Sequence, residues 1–71
     1  MTTIVVFNLH PIVRREDLQL LYGDFGNIIS IDVSYGFAMI TFEDFDDAMT
    51  VIERTNGQWL DNRKLLVTLG N

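Results

Sequence analysis

The sequence predicts one α/β domain in the order strand–helix–strand–strand–helix–strand: a four-stranded antiparallel sheet with two helices on one face. Three observations predict it. Apolar residues alternate at period two in some segments and recur at helical spacing in others. The two halves of the chain each read strand–helix–strand at similar length, and right-handed crossovers put both helices on the same side of the sheet. No linker or low-complexity tract interrupts residues 1–71, and a chain this short buries only about 60% of its unfolded surface, enough for a single core.

Thr3 to Phe7 is β-branched and aromatic and closes in Asn8-Leu9-His10-Pro11, so it reads as a strand followed by a turn. From Pro11 to about Gly23 the residues Leu18, Leu21 and Tyr22, then Phe25, fall at helical spacing, with Arg14, Arg15, Glu16 and Asp17 in the first turns. Gly23 or Gly26 supplies the stop. Ile28 to Val33 alternates Ile29, Ile31 and Val33, expected inward, with Ser30, Asp32 and Ser34, expected outward. A short turn at Ser34-Tyr35-Gly36 leads into Phe37 to Phe42, which makes an antiparallel hairpin. Asp44 reads as an N-cap with Asp46 and Asp47 complementing the helix dipole. Ala48, Val51, Ile52 and Thr55 carry the inner face of that helix to Asn56-Gly57. Leu65 to Leu69, opened by Arg63 and Lys64, is the last strand, with Leu65 and Val67 inward.

Composition removes several function classes. With no Cys there are no disulfides, thiolate metal sites or Cys nucleophile. Apolar runs fall far short of the ~20 residues of a membrane helix. Met1-Thr2-Thr3 lacks the basic segment and cleavage site of a secretory leader, so an intracellular protein is expected. Ten acidic residues against five basic ones give a net charge of −5. Strong nonspecific binding to polyphosphate needs clustered cations and is not expected, whereas stacking-led binding to single strands is compatible with this charge.

Tyr35-Gly36-Phe37-Ala38-Met39-Ile40-Thr41-Phe42 resembles the RNP1 octapeptide of the RNA recognition motif, and Ile4-Val5-Val6-Phe7-Asn8-Leu9 is similar to its RNP2 hexamer. Glu16-Asp17-Leu18 through Phe25-Gly26, Asp47-Ala48 and Asn56-Gly57 also sit where that family has them. The resemblance covers essentially the whole chain. It implies a ferredoxin-like sandwich, 1–71 as a single domain of this type, and a noncatalytic module that recognises single-stranded RNA on its open sheet face. Within the family, the short second turn with Phe42-Glu43-Asp44, Asp47-Ala48 and Leu60-Asp61 looks most like the first domains of SR-type splicing proteins, which implies mRNA processing in the nucleus.

The departures bear on the site. The family's three stacking positions fall here on Val5, Phe37 and Met39, and the leading basic residue of RNP1 is Tyr35. One aromatic survives at those positions, and each lost platform removes roughly 1–3 kcal/mol of stacking. By period two, Phe7 shares the open face with Val5, so Phe7, Phe37 and Tyr35 with Met39 as a soft contact form a shifted platform. The alternative is that Phe7 and Tyr35 only fill strand and turn positions. Arg63 and Lys64 are the basic pair able to meet phosphate. Val5, Phe7, Phe37, Met39 and Leu66 make a contiguous apolar patch with Asp32 as its one charge, which also fits a protein partner or a homodimer. For that alternative, a domain that has given up RNA stacking, the candidate contacts are Leu20, Phe45, Leu66 and Trp59, although the sequence favours a core or rim place for Trp59.

Other chemistries lack their residues. His10 has no Ser, Cys or metal-ligating partner at useful spacing and reads as a loop residue. Glu43, Asp44, Asp46 and Asp47 lack the Gly and Glu of a calcium loop and read as a helix start. Asp17 and Asp24 have no surroundings that would split them into acid and base. The turn Asn8-Leu9-His10-Pro11 has neither the glycines nor the Arg of an acylphosphatase. No cofactor or metal is expected. Arg14 and Arg15 oppose the helix dipole and call for a partner, Glu16 or Asp17 being nearest in sequence.

Overall fold

The alternating segments pair as their periodicity dictates. A computed structural model, describing residues 1–70, places strand β1 at Thr2–Phe7, helix α1 at Arg15–Tyr22, a single 3-10 turn at Gly23–Phe25 and strands β2 at Ile28–Ser34 and β3 at Phe37–Phe42. Helix α2 spans Phe45–Thr55, followed by β4 at Trp59–Leu60, β5 at Arg63–Lys64 and β6 at Leu66–Leu69. The main sheet runs β2-β3-β1-β6, with every neighbouring pair antiparallel. Strands β4 and β5 form a separate small hairpin.

Register explains the core. Ile4 lies opposite Ile40, Val6 opposite Ala38 and Thr2 opposite Phe42, and all of these are buried. Opposed residues share a face, so this side of the sheet is continuous and apolar. Leu18 and Tyr22, four apart on α1, and Ala48, Val51 and Thr55 on α2 cover it. Each large side chain removed from water contributes about 1.5–3 kcal/mol, which is what docks two short amphipathic helices on the sheet.

The first helix is shorter than its spacing predicts. Pro11 and Ile12 lie in a turn in which His10 accepts twice: its carbonyl from the Val13 N–H at 3.0 Å and its Nδ1 from the Ile12 N–H at 3.1 Å. Val13 therefore drops into the core before the helix begins. At the start of α1 the Arg14 N–H donates to Asp17 Oδ2 at 2.9 Å, half of a capping box, and Asp17 also complements the dipole. Gly23 keeps helical dihedrals, and the chain tightens through the 3-10 turn before leaving at Gly26.

Two further expectations are corrected. Ile29 and Val33 are exposed rather than inward. A register shift between Ile28 and Ser30 takes Ile29 out of the ladder, and β2 is an edge strand, so Val33 is open along its outer flank. Arg63 and Lys64 do not open the last strand. Asp61 and Asn62 both take positive φ (49° and 64°), the twisted two-residue turn that closes a tight hairpin, and Lys64 pairs with Trp59.

Candidate functional site

The face of the sheet away from the helices carries three cross-strand rows. Ser34, Phe37, Phe7 and Leu66 lie side by side across β2, β3, β1 and β6. Asp32, Met39, Val5 and Thr68 form the next row, and Ser30, Thr41 and Thr3 the third. The Thr3 and Thr41 hydroxyls are hydrogen-bonded at 2.9 Å. The rings of Phe7 and Phe37 stand 6.1 Å apart between centroids at 33°, a tilted pair that leaves 40% of Phe7 exposed. Met39 and Leu66 are also exposed, so Val5, Phe7, Phe37, Met39 and Leu66 join into an apolar surface on the solvent side.

Tyr35 occupies the tip of the β2–β3 hairpin and is 86% exposed. Gly36 behind it holds φ +85, the left-handed region that favours glycine. The Gly36 carbonyl accepts from the Leu9 N–H at 2.9 Å, tying this turn to the one after β1. The structure thus brings Phe7 and Phe37 together, while Tyr35 has no ring contact among the described residues.

The basic end of the surface is organised by Asn8, which sequence reasoning passed over. At φ 67 its side chain turns toward the β4–β5 hairpin: Nδ2 donates to the Lys64 carbonyl at 2.9 Å, and Oδ1 accepts from Arg63 Nη1 at 3.2 Å. One signal was available, since Asn is a residue that tolerates the left-handed region after a strand. Because Asn8 directly follows Phe7, this contact places the Arg63 guanidinium at the Phe7 end of the face.

The remaining polar candidates take structural places. Arg15 donates to the Ile31 carbonyl at 2.7 Å, so its partner is the edge strand rather than an acid of its own helix. His10 holds its own turn as described. Among the described residues no cluster of His, Cys, Asp or Glu is placed to hold a metal ion, and no helix is long and apolar enough to cross a membrane.

Of the alternative contacts, Leu66 belongs to the sheet face. Leu20 and Phe45 stand exposed on the helices, on the other layer of the molecule. Leu20 lines two shallow grooves: one of about 470 Å³ against Ile28 and Ile29, and one of about 750 Å³ against Ile12 and Leu60. Trp59 is 70% exposed on β4 and so takes no place in the core.

Residues 4–66 match the family model of the RNA recognition motif. The chain belongs to the RNA recognition motif family. Its motif is 33% identical over 73 residues to the "Polyadenylate-binding protein, cytoplasmic and nuclear" of Eremothecium gossypii, covering 93% of this chain and 12% of that one. Over 74 residues it is 32% identical to the human "Transformer-2 protein homolog alpha", covering 93% of this chain and 26% of that protein. This motif therefore spans about an eighth to a quarter of the length of these relatives. The crystal structure of "RNA Binding Protein PG1" superposes at a TM-score of 0.93 with 35% identity, covering 99% of this chain and 94% of that one. Within the matched residues, Val5, Phe37 and Met39 share the open face, and the second ring of the surface comes from Phe7, beside Val5 on the same strand face.

Proposed function

We propose that this domain is a noncatalytic module that binds single-stranded RNA weakly through its open sheet face and serves mRNA processing, with the nucleus as its place of work. The observation that carries this reading is the Phe7–Phe37 ring pair on the solvent side of the sheet, Phe7 exposed and Phe37 half-buried, beside Met39 and Val5. Phe37 stacks on one base and Phe7 on its neighbour, because every base offers a π-face to an exposed ring. Met39 adds a polarisable contact and Tyr35 a hydroxyl at the rim. Arg63, held by Asn8, and Lys64 steer the phosphates. Two relatives support the choice of ligand: one is named for polyadenylate binding and the solved structure for RNA binding. Affinity is low because the net charge is −5 and two of the three family platforms are not aromatic. Phe37→Ala is expected to weaken binding of a short single-stranded RNA by about 1–3 kcal/mol. Its thermal unfolding should remain cooperative; unchanged affinity in that variant would remove the stacking role.

A second reading takes Leu66 on the sheet, or Leu20, Phe45 and Trp59 elsewhere, as contacts for another protein or a second copy. It rests on their exposure, most of all on Leu20, which is 80% exposed between its two grooves.

A further inference from the structure

On a face proposed to receive a polyanion, one residue is out of place. Asp32 is exposed in the middle row, directly opposite Met39 and diagonal to Phe37. It is the single charge in the three rows, and among the described residues no donor is bonded to its carboxylate. Ser30 and Ser34 flank it along β2; Arg15 is engaged by the carbonyl of Ile31, the preceding residue, and Arg63 by Asn8, beyond Phe7. An unpaired carboxylate here adds to the repulsion a domain of net charge −5 already exerts on phosphate. It favours RNA only where a base meets it with donors.

An ionised carboxylate is an acceptor with two parallel oxygens. Guanine matches it with adjacent N1–H and N2–H groups, one for each oxygen. Adenine and cytosine present a single amino group beside a ring nitrogen whose lone pair faces the carboxylate. Uracil presents N3–H between two carbonyls that repel it. Diagonal neighbours on a sheet lie about 7–8 Å apart, so a purine stacked on Phe37 and extending toward β2 brings its Watson–Crick edge over Asp32.

We propose that Asp32 makes this face selective for guanine, accepting from N1–H and N2–H of the base stacked on Phe37. This rests on the RNA-binding reading and adds the identity of the preferred base. The test measures binding of uridine hexamers carrying one guanosine, one inosine or one adenosine, and of the all-uridine hexamer, to the native domain and to Asp32→Asn. The native domain should prefer the guanosine hexamer over all-uridine by about 10-fold, in the range of bidentate base contacts, and inosine, lacking the N2 amino group, should forfeit much of that. In Asp32→Asn the guanosine preference should fall to about twofold or less while all-uridine binding holds or tightens, because the repulsion is gone. Asp32 is exposed, so thermal unfolding of the variant should match the native domain. Equal affinities for all hexamers in the native domain, or a guanosine preference that survives Asp32→Asn, would overturn the proposal and leave the RNA reading standing. No binding of any hexamer would overturn both.

Discussion

The phenol of Tyr22 is the one side-chain polar group that the core buries without a hydrogen bond among the described residues. Its neighbour Thr55 is committed elsewhere, donating to the Val51 carbonyl at 2.7 Å. Burial raises the Tyr22 pKa above the ordinary 10.0. Tyr22→Phe is therefore expected to hold or raise the unfolding free energy, by about 1 kcal/mol, since an unsatisfied buried hydroxyl is removed and the ring is kept. The sign with pH follows from the same cause. The folded state holds the proton more tightly than the unfolded state, so the titration of Tyr22 leaves stability intact below the unfolded pKa, and stability is lost as pH climbs past about 10. Chemical denaturation at pH 8 and pH 11 should show a smaller loss for Tyr22→Phe than for the native domain; equal losses would contradict the assignment. At this scale the open-face residues were legible, because period two alone puts Val5, Phe7, Phe37, Met39 and Leu66 on one side. The role of Asn8 was not, because its two partners lie more than fifty residues away in a hairpin that periodicity does not reveal.

The elements show where local pattern suffices and where it fails. The four main strands and α2 follow from alternation, helical spacing and turn residues that agree with one another. The start of α1 did not, because the turn at Pro11 is decided by hydrogen bonds to His10 and by Val13 reaching the core. The edge strand misled for a tertiary reason: alternation assigned Ile29 to the core, and a bulge turned it out. The β4–β5 hairpin escaped notice because two strands of two residues carry no period, and only Asp61-Asn62 marks the turn. The contact between the 3-10 turn and α2 is tight. Gly26 is extended (φ 166°), a conformation open to any residue, so space rather than backbone freedom requires glycine here. A β-carbon at Gly26 would lie 2.8 Å from Asp47 Cβ and closer still to the carboxylate. Gly26→Ala should thus destabilise the domain by about 1–3 kcal/mol, as overpacking does. Equilibrium denaturation measures this, and an unchanged midpoint would show that the first turn of α2 yields without cost.

Across the molecule, the two helices seal one side of the sheet and leave the other to solvent, with its aromatic pair near one end and its lone carboxylate toward the outer edge. The acidic balance sets the character of binding. With few cations to release counterions, stacking must carry much of the affinity, and low salt is the condition in which weak contacts are seen. The apolar patch also fixes an expectation about association. Light scattering over a concentration series should give a monomer if the face is kept for RNA, and a dimer if Leu66 and its neighbours pair with a second copy. The most direct measurement is an amide chemical-shift titration with a degenerate pool of short single-stranded RNAs at low salt. Shifts gathered at Val5, Phe7, Phe37, Met39 and Leu66 are the predicted result. A silent sheet, or shifts confined to the helical layer around Leu20 and Phe45, would contradict it.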